Sequence, residues 1–226
     1  MVVLIHGAAD RAATFQPTRR ALAPLPVLSY DRRGYAGSID LAVGAGLAVH
    51  VADLLEVVDE RPSVLIGHSF GGLIALAAAV EEPELVRAVG VYEPPLAWLG
   101  WWPAVTTFGA PETAAETFFR EVVGGNVWEG LPDQFRADRR REGAALISDF
   151  SSAQSGLPFD LGDVLSPVAA AHGSRTTAHF ERAAQTIAAN NLGAALTVIE
   201  GAAHGVHQSH PVPFASWIRS VVALAV

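Results

Sequence analysis

The amino-acid sequence specifies an α/β domain built on a mainly parallel sheet of about six strands with helices on both faces. Short runs rich in Val, Ile and Leu recur along the chain without polar alternation, as strands buried on both faces require. Segments with apolar residues at helical spacing separate these runs, the order that builds crossovers between parallel strands. Half of the 226 residues are hydrophobic and only 17% are charged, which is ample for a sizeable core and rules out global disorder.

The strands are expected at Val2–Ile5, Val27–Tyr30, Ser63–Gly67, Ala88–Tyr92, Val168–His172 and Leu196–Glu200. Leu47, Val51, Leu54 and Val58 fall on one helical face, and a second helix carries the apolar run Leu73–Val80. Phe180, Ala183, Ala184 and Ile187 mark a third helix, closed by Asn190, Asn191 and Gly193. The last helix carries Phe214, Trp217, Ile218, Val221 and Val222 behind Pro211, a residue suited to a first turn. From about Pro94 to Pro167 the alternation stops, and 10 of the 18 aromatic residues gather there, four Trp and six Phe. That stretch reads as helices and loops, with a helix start at Pro111-Glu112 and no strand. Because strands lie on both sides of it, residues 96–166 are expected to form a helical cap inserted into a core of residues 1–95 and 167–226.

Composition narrows the chemistry. The chain has no cysteine, so thiolate metal sites and Cys nucleophiles are excluded. All 15 basic residues are arginine, which excludes lysine Schiff bases and the lysine of a phosphate-binding loop. A net charge of −8 disfavours a nucleic-acid surface. The longest apolar run has eight residues, far short of the ~20 that span a bilayer, and no leader pattern opens the sequence. The expectation is a cytoplasmic protein without cofactor or metal, acting on a small molecule.

Gly67-His68-Ser69-Phe70-Gly71-Gly72 has the pattern G-x-S-x-G between a predicted strand and a predicted helix. The letters alone are weak, but this context gives them weight. A serine held on a sharp strand-to-helix turn needs small neighbours, and the following helix points its positive end at the hydroxyl. With His6-Gly7 after the first strand, Asp31-Arg32-Arg33-Gly34 after the second, Gly173 after the fifth and Gly201-Ala202-Ala203-His204-Gly205 after the last, the chain resembles the α/β-hydrolase superfamily, particularly its small cap-bearing esterase-like members. The resemblance covers nearly the whole length.

The resemblance implies that Ser69 is the nucleophile and His204 the base, with backbone N–H groups of Ala8 and Phe70 as oxyanion donors. The acid most common in the family would fall at Thr176, which cannot carry a charge. Some members place it after the preceding strand, where Tyr92-Glu93-Pro94-Pro95 offers Glu93; a bare Ser–His pair, or Asp160 or Asp163, are the alternatives. His6 reads as structural or as a substrate contact, and Trp98, Trp101, Trp102 and Phe118 as candidate walls of an apolar pocket. His207 and His210 follow His204 at a spacing that could suit a metal, but no acidic or thiolate ligand lies nearby in the sequence. Arg136, Arg139, Arg140 and Arg141, interleaved with Asp133, Asp138 and Glu142, read as a solvated helix face. Relatives carry a hairpin ahead of the first strand where only five residues precede His6 here. Val27–Tyr30 is therefore expected at a sheet edge, with Pro24 and Pro26 opposing contact with another chain.

The expected activity is a serine hydrolase cleaving a carboxylic ester or related acyl bond. The competing expectations are a ligand-binding protein that keeps the fold without efficient catalysis, or another serine-dependent activity such as a C–C hydrolase, perhydrolase or hydroxynitrile lyase.

Overall fold

The computed structural model describes residues 1–44, 46–191 and 193–225. The six strands are β1 (Val2–Ile5), β2 (Val27–Ser29), β3 (Ser63–His68), β4 (Val86–Tyr92), β5 (Val168–Gly173) and β6 (Ala195–Ile199), each within two residues of the expected bounds. They form one sheet in the order β2-β1-β3-β4-β5-β6, and every pairing is parallel. β2 lies at one edge, as expected.

Alternation along the strands explains the unbroken apolar runs. Val3, Ile5, Leu65, Val89, Val91 and Ala170 face one core, while Val2, Leu4, Val64, Ile66, Ala88, Tyr92, Ala169 and Ala171 face the other. The first core is closed by α2 (Leu47–Val58), α3 (Phe70–Glu81) and α8 (Ala178–Asn190). The second is closed by α1 (Gln16–Leu22) and α10 (Pro211–Val222), which follows the one-turn α9 (Val206–Ser209). Residues Phe70–Ala79 of α3 are all buried, consistent with its nearly uninterrupted apolar sequence.

Between β4 and β5 the chain is helical: α4 (Pro111–Phe118), a π-helical stretch Phe119–Gly124, α5 (Gly125–Gly130), α6 (Asp133–Arg141) and α7 (Gly143–Ser155). α4 starts at Pro111 as the sequence suggests, and no strand occurs among the described residues of this insert. Among the described residues no helix is long and apolar enough to cross a membrane.

The order reverses beside β1: the chain runs outward to β2, then crosses back to β3 on the other flank of β1. Loops leaving such neighbours diverge and open a crevice at the carboxyl ends of the strands. The start of α3 packs against the end of β1 so closely that a Cβ on Gly71 would collide with the carbonyl of Ile5. Gly71→Ala is therefore expected to destabilise the fold by at least about 1–3 kcal/mol, the cost of forcing one carbon into a packed interior. Urea unfolding of the variant checks this, and an unchanged midpoint would contradict it.

Candidate active site

Ser69 occupies the bend between β3 and α3 with φ 54° and ψ −127°, a conformation that side-chain-bearing residues seldom adopt. Its N–H donates to Tyr92 O at 2.9 Å, and its carbonyl accepts from Gly72 N–H at 2.8 Å. The positive φ is thus held from both sides. Gly7, after β1, lies directly against the serine, since a Cβ there would come within 2.8 Å of Ser69 Cβ.

Glu93 leaves the end of β4, fully buried and also at positive φ, 49°. Its Oε1 accepts from Gly173 N–H at 2.9 Å, and its Oε2 accepts from His204 Nδ1 at 2.7 Å. Burial pushes the Glu93 carboxyl up, but the His204 hydrogen bond and charge, with the Gly173 amide and Thr176 hydroxyl, hold it below its ordinary value. His204 follows β6 and is 39% exposed, with the Phe180 ring stacked on it at 4.4 Å. Its carbonyl accepts from His68 Nε2 at 2.7 Å, and Tyr92 Oη donates to the neighbouring Ala203 O at 3.0 Å. Glu93 and His204 are therefore joined directly. Among the described residues no hydrogen bond joins Ser69 Oγ to His204; their connection runs through His68, the residue before the serine.

Ala8 and Phe70 flank the same crevice, in the loop after β1 and at the first position of α3. The Phe70 side chain is buried, and its amide lies at the positive end of an almost wholly apolar helix.

His6 is fully buried, which corrects its reading as a substrate contact. Its Nδ1–H donates to Gly7 O at 2.8 Å and its Nε2 accepts from Arg32 N–H at 3.0 Å, so both ring nitrogens are occupied by backbone. Burial and the adjacent Arg32 charge lower its pKa to about 4.

The four aromatic residues proposed as pocket walls are half-buried. Trp102 packs on Phe180 at 5.3 Å, so one of them reaches His204 through a single intervening ring. Trp101 lies against Trp102 at 5.8 Å, Trp98 packs against Gly156, and Phe118 packs on Phe150 at 5.8 Å. Two cavities of about 190 and 350 Å³ lie elsewhere, one between α2 and α3 and the other against β6 and α10.

The arginine cluster is only partly a solvated face. Arg136, Arg140 and Arg141 pair with carboxylates near the surface. Arg139 turns inward to Glu142, which is 3% exposed, because Glu142 also serves Arg11 and the Ala36 amide.

The absence of an acid near His207 in the sequence is likewise corrected by the fold. Asp10 comes from the loop after β1, and its Oδ2 lies 3.2 Å from His207 Nε2. With His68 these two residues form a group whose ligand atoms lie within 4.8 Å of one another, a cluster among the described residues that could hold a metal ion. The pairing with His207 outweighs burial and keeps the Asp10 carboxyl well below the usual range.

Comparisons with known proteins agree with this fold. A model of the alpha/beta hydrolase family matches residues 2–217. The chain is 33% identical over 142 residues to an sn-1-specific diacylglycerol lipase ABHD11 of Xenopus laevis, covering 59% of this chain and 44% of that protein. It is 35% identical over 95 residues to a putative carbamate hydrolase RutD of Variovorax paradoxus, covering 39% and 35%. It thus spans less than half the length of these curated relatives. A hydrolase from Pseudomonas aeruginosa PA01 superposes with a TM-score of 0.78 at 23% identity, over 98% of this chain and 89% of that one.

The depressed His6 pKa fixes the sign of a stability effect. As pH falls below ~6.5 the unfolded chain takes up a proton on this residue, whereas the folded chain resists until about 4. The contribution of neutral His6 is complete above ~6.5 and declines through that window, by about 3 kcal/mol in all. His68, lowered by burial and then by His207 and His204, acts in the same direction. Urea midpoints between pH 7 and 4.5 are expected to fall less steeply for His6→Gln than for the wild type. Parallel curves would contradict this.

Proposed function

The chain belongs to the alpha/beta hydrolase family, and on that basis we propose that it is a serine hydrolase that cleaves a carboxylic ester or related acyl bond through an acyl-enzyme. The observation that supports this best is the 2.7 Å bond from His204 Nδ1 to a fully buried Glu93. In the neutral imidazole that bond favours the proton on Nδ1 and a lone pair on Nε2, the form a general base needs.

Ser69 Oγ attacks the carbonyl carbon while its proton passes to His204 Nε2. Glu93 stabilises the resulting imidazolium. The charge on the carbonyl oxygen is met by the N–H groups of Ala8 and Phe70, which act without reorganising during the reaction. Collapse breaks the bond to the leaving group, which takes the proton back from His204. Water activated by the same imidazole then releases the acid and regenerates Ser69. The serine–histidine bond is expected to tighten in the substrate complex, as catalytic contacts often do. Trp98, Trp101, Trp102 and Phe118 suit an apolar acyl or alcohol group under a cap formed by residues 96–166. The lipase and carbamate hydrolase among the relatives support acyl-bond hydrolysis as the reaction class.

The missing Ser69–His204 hydrogen bond favours one alternative, a ligand-binding protein on the same fold. A fluorophosphonate probe separates the two readings: an activated Ser69 is labelled within minutes, and the folded binding protein is not.

Ser69→Ala is expected to abolish labelling and lower aryl-ester turnover by at least about 10,000-fold. Ester cleavage by this variant at the wild-type rate would end the proposal. Glu93→Gln is expected to lower kcat by roughly 1,000- to 10,000-fold while the protein remains folded, because an amide cannot stabilise the imidazolium. Wild-type kinetics from that variant would move the role of the acid elsewhere.

A further inference from the structure

The loop carrying Ala8 is held by charged residues from the helical insert, more than 100 positions away in sequence. Arg32 is fully buried; its Nε donates to His6 O and its Nη2 to Gly7 O, both at 3.0 Å. The same guanidinium makes two bonds to Asp149 of α7, at 3.1 and 2.6 Å. Asp149 is itself buried and also accepts from Tyr35 Oη at 2.7 Å. Beside this pair, Arg139 of α6 donates to Ala9 O at 3.0 Å and to Glu142 at 2.9 Å. Glu142 completes the contact by accepting from Arg11 at 2.8 Å. Ala9 sits at φ 53°, so the segment under these contacts is strained as well as bound.

Peptide planarity gives the contacts a direction. The carbonyl of Gly7 and the N–H of Ala8 belong to one rigid unit and point opposite ways. Arg32 draws Gly7 O toward the interior and thereby turns Ala8 N–H outward. Arg139 fixes the carbonyl of Ala9, two peptide units further along, so the segment that follows Ala8 is anchored as well. The Arg32 guanidinium also lies over the ring of Phe70, 5.1 Å from its centre, and so touches the segment carrying the second proposed donor.

We propose that the α6–α7 corner of the insert is part of the oxyanion apparatus. Arg32 and Arg139, held by Asp149 and Glu142, are positioning residues that keep Ala8 N–H turned toward the reacting oxygen. The inference rests on the serine-hydrolase reading given above. It also makes this corner a fixed part of the site, since lifting it would separate the buried Arg32–Asp149 pair and the partly buried Arg11–Glu142 pair.

The test measures Arg139→Met, Arg139→Lys and Arg141→Met with an aryl ester, expressing kcat per site titrated by fluorophosphonate. Arg139→Met is expected to lower kcat about 10- to 100-fold, within the loss expected when a catalytic group is displaced by an ångström, with KM changed less than about threefold. Its affinity for an arylboronic acid, which mimics the tetrahedral state, is expected to fall by a similar factor, while that for the product carboxylate stays constant. Arg139→Lys restores part of the loss. Arg141→Met removes an exposed contact to Asp40 and leaves kcat unchanged. If Arg139→Met does not fold, Glu142→Gln is expected to show the same pattern more weakly. Wild-type kcat per titrated site, with only the melting temperature reduced, would overturn the proposal and make the corner merely structural. A wild-type protein that neither labels nor hydrolyses esters would instead overturn the serine reading, and the clamp's catalytic role with it.

Discussion

The close approach of α3 to the end of β1 is the constraint from which the site is built. β1 and β3 are neighbours whose connections run to opposite sides, so their carboxyl ends diverge and leave a crevice. Only residues without a side chain let the two ends approach this closely, which is why Gly7 and Gly71 lie on the two sides of Ser69. Because every strand is parallel, the loops carrying Ala8, Glu93 and His204 emerge along the same edge. Proximity of residues far apart in sequence follows first from the sheet, and bonds between the loops, such as His204 Nδ1 to Glu93 and His68 Nε2 to His204 O, then fix it.

A second requirement is electrostatic. The site sits among buried charges, and each must find a partner or lose its charge. Glu93 is balanced by His204 and the Gly173 amide, Arg32 by Asp149, and Glu142 by Arg11 and Arg139. Such pairs contribute little net stability, because desolvation offsets most of their attraction. They are more informative as constraints on geometry. A displaced partner would leave an uncompensated buried charge, so these groups tolerate few alternative positions.

Much of this was legible in the sequence because local patterns carried it. Val2–Ile5 and Ser63–Gly67 declare buried parallel strands, since both faces of each strand are apolar. The serine bend is visible as glycines around Ser69 between a strand and a helix. Glu93 stands out as an acid at a strand end, followed by two prolines. The rest had no local signature. Arg32 and Asp149 are 117 positions apart, and nothing in either neighbourhood announces the pair. Arg139 looks like one arginine of a surface cluster until Glu142 is seen to be buried beside it. His6 could be read as structural or as a site residue because it directly follows β1; its two backbone partners favour the structural role.

Thr176 shows why a position favoured by relatives can lack its carboxylate without leaving His204 unsupported. His204 Nδ1 needs an acceptor along one line, and the ends of β4 and β5 are adjacent enough for either strand to approach that line. A carboxylate from β4 reaches it with the longer side chain of glutamate, on a backbone bent to positive φ. The loop after β5 then contributes neutral groups: the Gly173 amide and the Thr176 hydroxyl both favour the charged form of Glu93. A second carboxylate at position 176 would oppose that charge across the same small space. On the proposed mechanism, threonine is thus the complement of Glu93 rather than a lost catalytic acid.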